Sequence, residues 1–351
     1  MMSNFIHWII FVQIVSESLP VSSSSHVRIF LLLASLVYGA QAFVQPVPDF
    51  LDHLLHGPTV LIVMIFFRHE WMPSAWRMTH VARAYVRGAR VRESERALAR
   101  VLTRLISFLF ISSVITGIFF GLFKILLKNN MLLAHDATML AGLCVTAGVL
   151  FSLRSLRDTR LRQGLRRVPQ GERGNTQGGG LSLKHGLVQI KKQIHDIFFE
   201  NKGSHTSPVL PEEPDEAFSE DRRLEGPNIK TYAILGLVQG LALLPGISRF
   251  ASTYVAARWL GFTNRRAFQV CFLLELPVVI AAFVVFGVGG ACMNHGWGLI
   301  LQPNVMLSVA GATLAGYGAL WCAWRLAERR LLWLFSGYLL LPILIVLYFI
   351  S

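Results

Sequence analysis

Six apolar runs, near 50–67, 105–127, 133–153, 267–290, 304–327 and 331–350, are each long enough to carry about 20 residues of membrane-spanning helix. Two further apolar regions are interrupted. The stretch 4–46 breaks at Leu19-Pro20-Val21-Ser22 and the serines that follow, and 231–262 breaks at Pro245-Gly246-Ile247-Ser248-Arg249. Each reads as two short helices with an unwound polar tip, and non-helical backbone at membrane depth survives only where protein or an internal cavity satisfies its polar groups. Both tips are therefore expected to face the interior. Only 15% of the residues are charged, against roughly 25% in soluble domains, and mean hydropathy is +0.51. The expected fold is an all-α integral membrane protein: six transmembrane helices plus two re-entrant helical hairpins.

The net charge of +13 could mean nucleic acid, but 23 of the 33 basic residues lie in two segments, 68–104 and 154–230, between apolar runs and without an aromatic stripe. No nucleic-acid partner is expected; the membrane is. The positive-inside rule puts both segments, with Arg265, Arg266, Arg325, Arg329 and Arg330, in the cytoplasm. The first hairpin then enters from the outer face and the second from the inner. A hairpin followed by three spans, occurring twice with opposite sense, is an inverted-topology repeat. It divides the chain into a first repeat, 1–153, a polar cytoplasmic linker, 154–230, and a second repeat, 231–351. Within the linker, 181–199 has the pattern of a short amphipathic surface helix. Cys144, Cys271, Cys292 and Cys322 lie in or beside apolar segments without metal or disulfide spacing. The first basic residue is Arg28, so the apolar N-terminus lacks the positive start of a secretory signal and reads as mature structure.

Chemistry concentrates at the two tips. Gln13 and Glu17 share a helix face, and an acid in an apolar segment needs either a role or a partner. Ser22, Ser23, Ser24, Ser25 and His26 offer hydroxyls, free amides at a helix start and an imidazole; one serine would suffice for capping, and the rest suit an anion. Arg249 cannot easily reach either membrane surface. It needs a bound anion, or an ion pair with Glu17, Asp52 or Glu275, and Ser248, Ser252 and Thr253 stand beside it. Asp52 and His56, at i, i+4 spacing on the first full span, could orient Glu17 or His26. A carboxylate, hydroxyls, an imidazole and an arginine converging within a membrane suit hydrolysis of a phosphate ester or anhydride on a lipid.

At these residues the sequence resembles the undecaprenyl-diphosphatase family of the bacitracin-resistance type. Its (E/Q)xxxE and LPVSS…H signature falls on Gln13, Glu17, Leu19 to Ser23 and His26, and its PGxSRSxxT on Pro245 to Thr253. The resemblance implies dephosphorylation of undecaprenyl diphosphate at a site opening to the periplasm, in the bacterial inner membrane, with Mg²⁺ or Ca²⁺. It implies Glu17 as the acid for metal or water and Ser23 and His26 as nucleophile or acid–base candidates. Arg249 would grip the diphosphate, and Gln13, Ser22, Ser248 and Thr253 would support the substrate. The polyprenyl lipid is the expected partner, and a homodimer is compatible with the resemblance. Phe250 stands where the motif has serine and Ser25 where glycine is usual; Gly57-Pro58 precedes Thr59, and the linker is long. The SRxxxxxHxxxD phosphatase class fits poorly, because Val255 occupies its histidine position. The competing reading is a transporter or flippase of an anionic lipid or small anion, since broken helices in inverted repeats are transporter architecture.

Overall fold

The computed structural model describes residues 2–38, 49–87, 103, 106–122, 135–167, 229–293 and 296–350. Every regular element among them is helical. The first hairpin is α1 (Met2–Glu17) and α2 (Ser23–Tyr38); α3 (Asp49–Leu54), α4 (His56–Phe66) and α5 (Arg68–Val86) follow. Then come α6 (Ile106–Leu122) and α7 (His135–Arg167). The second hairpin is α8 (Ile229–Leu241) and α9 (Arg249–Trp259). The chain ends with α10 (Asn264–Met293), α11 (Trp297–Ile300), α12 (Pro303–Glu328) and α13 (Leu334–Ile350).

Among the described residues, three helices are long and apolar enough to cross a membrane by length and composition, over Asp136–Leu156, Asn264–Met293 and Pro303–Glu328, and six shorter apolar helices accompany them. Large apolar side chains such as Leu36, Leu307, Leu314, Leu340 and Leu344 face outward. Outward apolar surface on this scale marks a chain whose solvent is lipid, and the protein is a multi-pass membrane protein.

Proline sets the breaks. Pro20 ends α1 because it has no N–H for the ladder and biases Leu19 away from helix; the chain crosses to α2 through a turn in which the Val21 amide bonds the Leu19 carbonyl. Pro58 cannot donate to Leu54, so the expected span 50–67 is two helices, α3 and α4, that meet at Leu55. The basic stretch 68–104 is helical at its start, as α5, and α7 runs to Arg167, into the expected linker. The proposed surface helix 181–199 lies outside the described residues.

Packing exchanges the two halves of the chain. α1 lies chiefly against α12, and α2 packs on α1 and on α13. Reciprocally, α8 meets α6, where Tyr232 stacks on Phe108 and Gly236 lets the Ser112 backbone approach closely. The turn between α8 and α9 docks on α7. Each hairpin is thus held by the second and third long segments of the opposite half. At the centre an aromatic cluster joins Phe67 of one half to Phe268, Phe272 and Trp324 of the other. Packed rings of this kind add about 0.5–1.5 kcal/mol per pair beyond their buried area.

Candidate active site

Glu17 ends α1 with a side chain only 6% exposed. Such a carboxylate is tolerable only if its oxygens are bonded, and both are. Oε1 accepts Gln13 Nε2 at 2.9 Å and lies 2.7 Å from His56 Nδ1. Oε2 accepts the Thr59 hydroxyl at 2.5 Å. The donors come from one turn back on α1 and from the first turn of α4. His56 and Thr59, three residues apart in the first turn of α4, lie on one face and so reach Glu17 together. Gln13 Nε2 also donates to Asp52 Oδ1 at 2.7 Å, so two carboxylates converge on one amide nitrogen.

Arg249, the first residue of α9, lies 3.4 Å through Nε from Glu275 Oε1 of α10; the two side chains are 20% and 19% exposed. Its positive charge also acts on Glu17, Asp52 and His56. The guanidinium makes no hydrogen bond among the described residues, so its fork of donors is open to an anion. The expected ion pair is real, but it is a single long contact. The tip that carries Arg249 is built with care. Gly246 has φ +88°, in the left-handed region that favours glycine, and a Cβ there would strike the Met139 carbonyl. Ser248 caps α9 by accepting from Ala251 N at 3.2 Å. Thr253 is turned back on its own helix, donating to Arg249 O at 2.7 Å; its side chain supports α9 from within.

The serine tip forms a second cluster. The Ser22 carbonyl receives the His26 amide at 3.1 Å, opening α2, and lies 2.6 Å from His26 Nδ1. Nδ1 therefore carries the hydrogen in the neutral ring, which leaves the Nε2 lone pair to accept from the Tyr338 hydroxyl at 3.1 Å. Ser22 Oγ is engaged by Ser24 at 3.3 Å and by Ser25 at 3.0 Å. The Ser23 hydroxyl has no partner among the described residues. No hydrogen bond or ion pair links Ser22, Ser23 or His26 to Glu17 or Arg249 among the described residues.

The sequence-derived set is therefore brought together in two groups: Gln13 and Glu17 near Arg249, and Ser22 and Ser23 with His26. Three participants were under-read or missed. His56 and Thr59 hold Glu17 directly, and their signal was a polar face, Asp52, His56 and Thr59, on an otherwise apolar span. Tyr338 had no sequence signal. Both motif departures are absorbed locally. Ser25 is fully buried and spends its hydroxyl on Ser22. Phe250 turns away from the site, 3% exposed, with ring centroids 5.1 Å from Phe268 and 4.8 Å from Phe272.

The donor set can accommodate a divalent cation in one way. Among the described residues no three metal-ligating side chains gather in a ready-made cage. Glu17 Oε1 and Asp52 Oδ1, however, already converge on the Gln13 amide. Mg²⁺ typically takes one or two carboxylates and completes its shell with water and substrate phosphate oxygens. The pair fits that role.

Comparison of the sequence with known proteins finds relatives for part of the chain. Residues 205–344 match the family model described as Bacitracin resistance protein BacA. The chain is 34% identical to the undecaprenyl-diphosphatase of Geobacter sulfurreducens over 119 residues, 34% of this chain and 44% of that protein. It is 36% identical to that of Geobacter metallireducens over 124 residues, 35% and 45% of the two chains. It is 33% identical to that of Methanothermobacter thermautotrophicus over 111 residues, 31% and 59%. The chain spans about half the length of the curated relatives it matches. No solved structure matches it. The matched segment contains the Pro245–Thr253 tip, and there the resemblance to the undecaprenyl-diphosphatase family, first read from two short motifs, is borne out over the second half of the chain.

Proposed function

We propose that the protein hydrolyses undecaprenyl diphosphate to undecaprenyl phosphate and inorganic phosphate, recycling the lipid carrier for cell-wall synthesis in the bacterial inner membrane. The observation that carries this reading is a buried Glu17, held by Gln13, Thr59 and His56, within reach of the charge of an Arg249 whose guanidinium makes no hydrogen bond among the described residues. An arginine in this setting presents bidentate donors to phosphate oxygens and stabilises charge as the bridging bond breaks.

Ser248 caps the helix that carries Arg249 and so aims it. At the other tip, the Ser23 hydroxyl is the unengaged side-chain nucleophile; attack on the terminal phosphorus by Ser23, by His26 or by a water activated there all fit the same residues. His26 Nε2 is the atom that would take and return the proton, because Nδ1 is held by the Ser22 carbonyl. The amides opening α2 suit the phosphate. Glu17 and Asp52 are the residues that would hold a divalent cation, Mg²⁺ or Ca²⁺, which would neutralise diphosphate charge. Gln13 positions both carboxylates.

The reading includes six spans, two re-entrant hairpins and the 1–153, 154–230 and 231–351 division, with the site opening to the periplasm. The reciprocal packing of each hairpin on the other half supports it. A homodimer is compatible with this arrangement. The transporter reading shares the architecture, and a detergent assay separates the two. Purified protein with Mg²⁺ or Ca²⁺ should release phosphate from undecaprenyl diphosphate, and Arg249→Ala should lose about 10²–10³-fold, as removal of a transition-state donor does. Binding of the lipid without phosphate release would favour transport.

A further inference from the structure

The two tips are held from outside by residues that no motif contains. Thr146, on α7, is fully buried; its hydroxyl accepts the Ser248 amide at 3.0 Å and lies 3.1 Å from the Gly246 carbonyl. The adjacent face of α7 is cut away to receive the turn: a Cβ on Gly142 would overlap the Pro245 carbonyl and Gly246. Tyr338, on α13, does the same for the other tip. Its hydroxyl meets His26 Nε2 at 3.1 Å, and its ring lies nearly parallel to the imidazole, 9° between planes with centroids 5.7 Å apart. α7 is the third long segment of the first half and α13 that of the second, so each tip is fixed by the third segment of the opposite half.

We propose that Thr146 and Tyr338 are reciprocal positioning residues, the first setting the Pro245–Arg249 turn that aims the guanidinium, the second setting the His26 imidazole. The inference rests on the phosphatase reading for its kinetic consequences but not for its structural one. Thr146 matters most because the Ser248 N–H is buried; without the Thr146 hydroxyl it has no acceptor, and an unsatisfied buried amide is relieved by movement of the backbone that carries it. That backbone is the turn preceding Arg249. Misplacement on the scale of an ångström costs an oriented reaction about 10²-fold without weakening ground-state binding in proportion.

The test uses the full chain in detergent, with Thr146→Val, Thr146→Ser, Tyr338→Phe and Tyr338→Ala, read by two methods. In phosphate release from undecaprenyl diphosphate, Thr146→Val should lower kcat about 10- to 100-fold with KM changed less than about threefold, and Thr146→Ser, which keeps the hydroxyl, should recover most of the loss. Tyr338→Phe, which keeps the ring, should lower kcat less than Tyr338→Ala. In amide hydrogen exchange, the peptide covering 245–251 should exchange about tenfold faster in Thr146→Val and return to normal in Thr146→Ser. Unchanged exchange in Thr146→Val overturns the inference whatever the activity. Unchanged kcat in an active wild-type background also overturns it while leaving the phosphatase reading intact. A wild type that releases no phosphate sinks the phosphatase reading alone, and hydrogen exchange still decides the positioning role.

Discussion

Restoring the motif serine at position 250 should damage the protein. The Phe250 ring is 3% exposed and touches Phe268 and Phe272 with centroids at 5.1 and 4.8 Å and Tyr254 at 6.3 Å. Deleting a buried phenyl from such a site costs about 3–5 kcal/mol through lost contacts and the cavity left behind. The new hydroxyl adds a polar group with no partner among rings, worth about 1–3 kcal/mol more. Relaxation of the surrounding rings recovers part of this, so about 4 kcal/mol is the expected net loss. An unfolding entropy of about 2.1 cal/mol/K per residue gives a chain of 351 residues a shift of about 1.4 °C per kcal/mol, so the melting temperature of detergent-solubilised Phe250→Ser should fall by roughly 5–6 °C. Thermal unfolding followed by tryptophan fluorescence suits the measurement, because Trp324 packs 5.0 Å from Phe268 in the same cluster. Phosphate release at low temperature should not exceed wild type. An unchanged melting temperature with faster turnover would mean that position 250 faces substrate, and the account of the aromatic cluster would have to be given up.

Gly142→Ala should be more damaging than its size suggests, since the added methyl meets backbone at Pro245 and Gly246; a large fall in melting temperature and in phosphate release is expected, and a neutral result would contradict the docking of the turn on α7. Thr59→Val removes a charge-assisted bond to a buried carboxylate, for which about 1.5–3 kcal/mol is typical, and should lower melting temperature or phosphate release accordingly. By contrast, Glu70→Gln breaks an ion pair to Arg265 whose partners are 28% and 63% exposed. It should change stability by no more than about 1 kcal/mol and leave phosphate release alone; a large effect on either would give this contact between α5 and α10 an unassigned role.

Much of the fold was legible because proline and a 20-residue apolar length act locally. Pro20 and Pro245 announce the two breaks wherever the chain finally packs, and the apolar runs reappear as helices that begin within a few residues of their expected starts, although α7 runs well past its expected end, to Arg167. The α3–α4 break was also written locally, in Pro58, but went unread because the run around it is uniformly apolar and long enough to span. What sequence could not carry is the orientation of side chains set by distant partners. Phe250 looked like a damaged motif position; only the rings of Phe268 and Phe272 explain its direction. Glu17 and Arg249 were evident as charges without local partners, whereas Tyr338 resembles any interfacial tyrosine until α2 is laid against α13. His56 falls between these cases: its spacing from Asp52 was visible, its contact with Glu17 was not.

The exchange of packing between the halves has a consequence for biogenesis. Glu17 and the serine tip enter the membrane early in synthesis, yet Tyr338 is 312 residues away from the His26 it supports. At about 5–20 residues per second, that interval is roughly 15–60 s. Throughout it the first hairpin waits for α12 and α13, the helices of the other half on which it packs, although Gln13, His56 and Thr59 already hold Glu17. Stalling translation before α12 should therefore leave α1 and α2 open to proteolysis that the finished protein resists.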